Sequence, residues 1–300
     1  MNESEHSVYE TDRTGGDGKG SGHVKSQDMA LMQERLLETV SYFHDFCDQY
    51  GIRYILVGGT CIGAVREHGF VPWDGDVDVA VLREDYDKLY QLWEEHGDKQ
   101  NFSLYRTTDD FCPYVAIGLM RNNNTTFIRV FEDGLTDRNL GVKIDIEPFD
   151  EIPTNPLKRR LQRFYAYIYI ALSTQRKPRR KSKLMTVGVI AVNWLFRNKA
   201  LRNRLIHFTG RQVKKYNGTG CEQVALNGLN GAITKNIFLD RIKVPFEDKE
   251  FYIPVQYDVY LTDEYGDYMQ RPPVEKRIFR DNPVYYDLNL PYRDYLAQRS

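Results

Sequence analysis

The sequence predicts an α+β fold: a mixed sheet with flanking helices, plus a basic, mainly helical insertion. Three observations carry this expectation. Residues 76–82 (Asp-Val-Asp-Val-Ala-Val-Leu) and 142–146 (Val-Lys-Ile-Asp-Ile) alternate with period two, as half-buried strands do. Other segments repeat their apolar residues every three or four positions, the helical period. Residues 152–221 hold no Asp or Glu but 17 of the 41 Lys and Arg, which leaves 24 basic residues against all 42 acidic ones elsewhere. An asymmetry of that size points to a surface with a purpose.

Residues 1–27 are polar, rich in Gly and Ser, and read as a disordered tail. Asp28 can cap a helix that runs to Tyr50. Its Met32, Leu36, Val40, Phe43, Cys47 and Tyr50 step along one face, and Gly51 is a natural stop. Residues 54–57 follow as a short buried strand. Gly58-Gly59-Thr60 then opens a short helix to about His68, ended by Gly69. On the strand 76–82, Asp76, Asp78 and Ala80 share one face and Val77, Val79 and Val81 the other. Glu84 to about His96 reads as an amphipathic helix, and 114–120 and 126–131 as strands around Asn122-Asn123-Asn124. The strand 142–146 places Lys143 beside Asp145, with Glu147 next on that face. In the acid-free span, two apolar stretches, 164–172 and 184–196, flank the cluster from Arg176 to Lys183. From about 236 mixed structure returns, with Pro245, Pro254 and Pro272-Pro273 at turns. The expected divisions are a tail (1–27), a catalytic core (28–151), a basic helical segment (152–221) and a C-terminal part completing the core (222–300).

A chain of 300 residues that is 41% hydrophobic and 28% charged buries a real core, which excludes wholesale disorder. A net charge of −1 excludes a bulk nucleic-acid binder. No apolar run reaches the roughly 20 residues of a membrane span, and no apolar leader is visible. Cys47, Cys61, Cys112 and Cys221 are widely spaced without a CxxC pair, the pattern of reduced thiols in a cytoplasmic protein.

The chemistry concentrates in an ordered set: Gly58-Gly59-Thr60, then Asp76 and Asp78 on a strand, then Asp145 on a later strand. A Gly-Gly-Thr turn into a helix offers bare backbone N–H groups and a hydroxyl, which suits phosphate. Clustered carboxylates repel one another unless a cation sits between them. Mg²⁺ or Mn²⁺ answers that need with oxygen ligands. Arg66, one short helix away, is placed to neutralise a diphosphate. A Gly-Gly pair alone, or Asp-x-Asp alone, is commonplace; the ordered combination is far more specific. Asp74 is a weaker candidate, His68 reads as a helix-end residue, and Cys61 has no evident His partner to make it a nucleophile.

The run from Tyr54 to Asp78, Tyr-Ile-Leu-Val-Gly-Gly-Thr-Cys-Ile-Gly-Ala-Val-Arg-Glu-His-Gly-Phe-Val-Pro-Trp-Asp-Gly-Asp-Val-Asp, closely resembles the signature of the LicD/fukutin family. So does Gly-Val-Lys-Ile-Asp-Ile-Glu-Pro-Phe-Asp, 141–150. Residues 257–269 with Pro272-Pro273 look like its closing motif. The resemblance covers roughly 30–150 and 236–275. It implies a nucleotidyltransferase-like fold used for phosphotransfer, with Asp76, Asp78 and Asp145 as metal ligands and Gly59 and Thr60 at the donor phosphates. The chain departs from the family pattern at Gly75, where an acidic residue is common, and at Lys143, where an apolar or aromatic one is frequent.

The expected activity is therefore metal-dependent transfer of a phospho-alcohol (phosphocholine, glycerol phosphate or ribitol phosphate) from a CDP-activated donor to a cell-surface glycan or its lipid-linked precursor. Asp76, Asp78 and Asp145 are the expected catalytic and metal residues; Gly58, Gly59, Thr60, Arg66 and Lys143 are the expected substrate contacts. Transfer of a nucleotide group, or a decayed site that merely binds anionic glycan or membrane, are the alternatives. Tyr165, Tyr167, Tyr169 and Trp194 with the basic residues around them favour peripheral contact with an anionic membrane at its inner face; a solvated basic face and a glycan grip are the competing readings.

Overall fold

A computed structural model describes residues 26–107, 116–130, 132–136, 138–173, 198–229, 231–279 and 283–299. The stretch 184–196, the cluster from Arg176 to Lys183, Trp194, Cys112 and nearly all of the expected tail lie outside the described residues.

Helix α1 (Ser26–Tyr50) buries the predicted stripe: Met32, Leu36, Val40, Phe43 and Cys47 are all essentially inaccessible. Gly51 ends it at φ +61°, a left-handed conformation that glycine adopts without a steric penalty. Strand β1 (Tyr54–Leu56) leads into α2 (Gly58–Ile62), which continues as a π-helical turn over Gly63–Glu67 and stops at His68, itself left-handed at φ 56°. A side chain at Gly63 would meet the Gly69 carbonyl oxygen at 2.4 Å, so glycine lets the turn close on itself. Strand β2 (Asp78–Leu82) runs directly into α3 (Arg83–His96), and β3 (Phe102–Tyr105), β4 (Gly118–Asn122) and β5 (Thr126–Arg129) follow. Strand β6 (Lys143–Glu151) is longer than the alternation suggests, because it pairs with three strands. Helices α4 (Pro156–Ser173) and α5 (Lys199–Lys214) pack on each other. Then come β7 (Gln223–Leu226), β8 (Ile233–Thr234), β9 (Arg241–Phe246), β10 (Lys249–Pro254), α6 (Tyr257–Tyr265), β11 (Pro283–Asp287) and α7 (Tyr292–Ala297).

The main sheet has the order β1-β2-β6-β4-β3, with β7 joined to the far end of β6 and β8 to β7. Strands β2 and β6 are parallel; the other pairings are antiparallel. Two smaller antiparallel pairs, β9–β10 and β5–β11, complete the described strands. The alternation of β2 divides two cores. Val77, Val79 and Val81 join Tyr54, Leu56, Ile144, Ile146 and the α1 stripe in the large one. Ala80 and Leu82 join Ile55, Val57, Phe149, Val224 and Phe238 in a smaller one on the other face. At its far end the sheet is pinned by Arg83, whose Nε and Nη2 each donate to the fully buried Asp150 at 2.8 Å.

Candidate active site

The smaller core does not cover its whole face of the sheet. Toward the start of β2 and β6 that face carries carboxylates instead. The parallel register sets Asp78 beside Asp145 and Ala80 beside Glu147. Lys143, Asp145 and Glu147 stay partly open to solvent while Ile144 and Ile146 between them are buried, as period two requires. Asp76 does not lie on the strand as the alternation implied: β2 begins at Asp78. The pairing nonetheless reaches one residue further, because the Asp145 N–H donates to the Val77 carbonyl at 2.8 Å, and Asp76 remains partly exposed beside a fully buried Val77.

The glycine turn holds this end of the strand. The Val57 N–H donates to the Asp78 carbonyl at 3.1 Å, and the Asp78 N–H donates to the Thr60 hydroxyl oxygen at 3.0 Å. Thr60, expected at the donor phosphates, is thus buried and engaged in fixing the Asp78 backbone. Gly58, at φ +58°, donates its N–H to the Tyr260 hydroxyl at 3.1 Å. A Cβ on Gly59 would meet Asp74 Oδ2 at 2.8 Å, so what this glycine accommodates within the protein is the Asp74 carboxylate. The Asp74 turn is itself tied to α1, since Gln33 Nε2 donates to the carbonyls of Val71 and Asp74. At Gly75 a Cβ would meet the Phe279 ring at 2.2 Å; the aromatic ring fills that space.

Electrostatically the site is crowded with negative charge. Burial, and then the neighbouring Asp76, Glu147 and Asp145, push the Asp78 carboxyl well above the usual carboxylate range. Burial, followed by Asp145, Glu264 and Asp76, pushes Glu147 up to about 8. Lys143 forms an ion pair with Asp145 and supplies a positive charge in the cluster. Helix α6 adds Tyr260, Glu264 and Tyr265; the hydroxyl of Tyr265 would sit 3.5 Å from a Cβ on Gly58, and Asp78 Oδ2 3.7 Å from it. Glu147, Tyr260, Glu264 and Tyr265 were not among the expected site residues. Glu147 was marked by its place two residues after Asp145; Tyr260 and Glu264 carry the signal of a helical i, i+4 pair within the closing motif.

Arg66 has other partners than a diphosphate in this structure. Its Nε donates to Glu67 at 2.8 Å and its Nη1 to the Tyr268 carbonyl at 2.7 Å, while Arg271 grips the same Glu67. The trio fastens the C-terminal segment to the end of the π-helical turn. Cys61 is buried and its thiol is pushed up to about 12, which makes it an inert core residue. Among the described residues no three His, Cys, Asp or Glu side chains form a ready-made metal cage.

Residues 51–161 match the family described as LicD/FKTN/FKRP, nucleotidyltransferase domain. The chain carries a LicD/fukutin-family domain. All three expected aspartates of this LicD domain, and the β2–β6 register, fall inside the matched region; Tyr260, Glu264 and Tyr265 fall beyond it. The chain is 28% identical over 269 residues to the Haemophilus influenzae protein named lipopolysaccharide cholinephosphotransferase LicD, covering 82% of this chain and 94% of that one. It is 40% identical over 57 residues to the human ribitol 5-phosphate transferase FKRP, a match spanning 19% of this chain and 12% of FKRP. The mouse FKRP matches to the same extent.

Proposed function

We propose that this LicD-family chain is a phosphotransferase acting on cell-surface glycans, and that it moves a phospho-alcohol from a CDP-activated donor to a glycan or its lipid-linked precursor. The observation that carries the reading is the Asp78–Asp145 register inside the matched domain, in a chain whose similarity to a cholinephosphotransferase spans 94% of that relative.

Asp76, Asp78 and Asp145 would hold Mg²⁺ or Mn²⁺. Their oxygen-only chemistry suits a hard cation, and burial first, then the charges of Asp76, Glu147 and Asp145, raises the Asp78 carboxyl. When bound, such an ion supplies charge neutralisation at the phosphoryl oxygens. The chain's own residues do the rest. The Gly58–Thr60 turn borders the donor diphosphate and fixes Asp78. The acceptor hydroxyl oxygen attacks the phosphorus that bears the alcohol; the bond from that phosphorus to the bridging oxygen breaks, and CMP leaves. The hydroxyl proton passes to a carboxylate of the cluster, with Asp145 best placed by its pairing with Asp78. Positioning and electrostatics, more than a strong base, lower this barrier.

Incubating the full chain with a panel of CDP-alcohols, labelled in the alcohol, and Mg²⁺ or Mn²⁺ tests the reading. CMP release with label on the acceptor is expected, and Asp78→Asn or Asp145→Asn should abolish it without lowering thermal stability. Label-free acceptor carrying CMP would assign nucleotidyl transfer instead. Near-normal turnover in Asp78→Asn protein would remove the site assignment.

A further inference from the structure

Among the described residues, the helices α4 and α5 of the acid-free span turn bulky apolar side chains outward. The buried face of α4 is made of Gln162, Ala166, Leu172 and Ser173, mostly small or polar. Leu172 aside, its largest apolar exposures face outward: Leu157 is 73% exposed, Leu161 51% and Phe164 58%. A helix facing only water has the opposite arrangement. On α5 Ile206 and Val213 are buried, while Leu201 and Phe208 are exposed at 45% and 42%. The two stripes adjoin, since the Tyr165 and Phe208 rings meet edge to face with centroids 5.8 Å apart. Lys158, Arg160, Arg204 and Arg211 are exposed on the same helices, and no Asp or Glu occurs anywhere in 152–221 to offset them.

We infer that the outer face of α4 and α5 docks on an anionic lipid bilayer. The occupant follows from charge and shape together. An apolar stripe flanked by cations is complementary to acyl chains beneath anionic headgroups. A second copy of the same face would instead bring cation against cation. Among the described residues no helix is long and apolar enough to cross a membrane. The helix pair is fastened at the end of β6 away from the acidic site: Gln162 Nε2 donates at 2.8 Å both to the Glu151 carbonyl and to the Val213 carbonyl of α5. Glu151 lies roughly 20 Å of extended strand from Asp145. The exposed residues of this face therefore change without touching the candidate active site, and the inference does not depend on which group the enzyme transfers.

Vesicle flotation of the full chain tests it, with phosphatidylcholine vesicles against vesicles containing 30% phosphatidylglycerol. Binding is expected on the anionic vesicles at low salt and should weaken as salt rises. Arg160→Ser, Arg204→Ser and Arg211→Ser combined should lower the partition coefficient on the order of a hundredfold, at about fivefold for each surface cation. Leu161→Ser, Phe164→Ser and Phe208→Ser combined should abolish flotation, with an unchanged thermal melt and unchanged transfer to a water-soluble acceptor. Equal binding to neutral and anionic vesicles, no binding at low salt, or variants that float like the wild type overturn the inference. So does a dimer in solution that the Leu161, Phe164 and Phe208 substitutions dissolve, which would give the face to a second copy.

Discussion

Replacing Thr60 with valine separates two roles for one hydroxyl. In the structure Thr60 is 5% exposed and its oxygen accepts the Asp78 N–H at 3.0 Å, at the point where the carboxylate strand begins. Valine keeps the shape and deletes the acceptor. The Asp78 N–H is then left without its partner, at a cost of about 1–3 kcal/mol. With an unfolding entropy of roughly 2.1 cal/mol/K per residue, a chain of this length should lose about 2–5 °C in Tm. The Asp78 carboxylate loses its fixed position at the same time, so kcat should fall. Thr60→Ser retains the oxygen and gives up one methyl group, on the order of 0.8 kcal/mol, and should stay near wild type in kcat. Thermal unfolding followed by circular dichroism, together with kcat and donor KM for both variants, checks this. An unchanged Tm with only a raised donor KM in Thr60→Val would refute the structural role and return the hydroxyl to the donor phosphates.

Two further outcomes concern the framework. Arg83→Leu leaves the fully buried Asp150 carboxylate without its two 2.8 Å donors and should cost about 3–5 kcal/mol; adding Asp150→Leu should recover much of that in chemical denaturation, and a double variant as unstable as the single one contradicts the pair. Glu132 is buried, which alone would raise its pKa, but Arg121 and Arg129 beside it hold it below the ordinary range. The unfolded chain then takes up that proton more readily than the folded one, so the stabilisation is complete above about pH 4.3 and is lost as pH falls through the depressed folded value. Glu132→Gln should flatten this acid limb of the stability curve, and parallel curves for the two proteins would show that the carboxylate contributes nothing.

What was legible in the sequence was what local periodicity encodes. The α1 stripe and its glycine stop, the start of α3 within one residue, and the alternation that puts Lys143, Asp145 and Glu147 on one face of β6 all follow from side-chain spacing. The misreadings arise where a distant segment decides. Asp76 alternates with Asp78 but has left the ladder, because β1 pairs only as far as Leu56 with Val79. Strand β7 was not foreseen: it is four residues long, and its only register is with the far end of β6 and with β8. Tyr260 reaches Gly58 across 202 residues of sequence, and Arg66 reaches the Tyr268 carbonyl across the same separation. No period within a window of ten or fifteen residues carries such a contact. The Thr60 bond to Asp78 is shorter in sequence, yet it too depends on a hydroxyl meeting a backbone group that only the folded turn brings near.

Lys143 lies inside the acidic cluster, and the structure gives its charge a consequence. Two positions before Asp145 on an alternating strand, it shares the carboxylate face and forms an ion pair with Asp145, both side chains being under 20% exposed. The ammonium thus offsets part of the repulsion among Asp76, Asp78, Asp145 and Glu147. Were Asp145 a metal ligand as proposed, a divalent ion arriving there would have to displace that ammonium and then tolerate it as a like charge nearby. Both effects weaken metal binding, and at partial burial the attraction between unit charges a few ångströms apart is on the order of several kcal/mol before desolvation. Removing the charge while keeping the stem, Lys143→Met, should therefore tighten Mn²⁺ binding by about tenfold or more, equivalent to about 1.4 kcal/mol. Calorimetric titration of the full chain with Mn²⁺ alone reads this without any transfer assay. The same substitution should lower the stability of the metal-free protein, because the carboxylates then face one another unscreened. Weaker or unchanged Mn²⁺ affinity in Lys143→Met would mean that Asp145 is not a metal ligand, and that the lysine, rather than an ion, is the cation this face was built to hold.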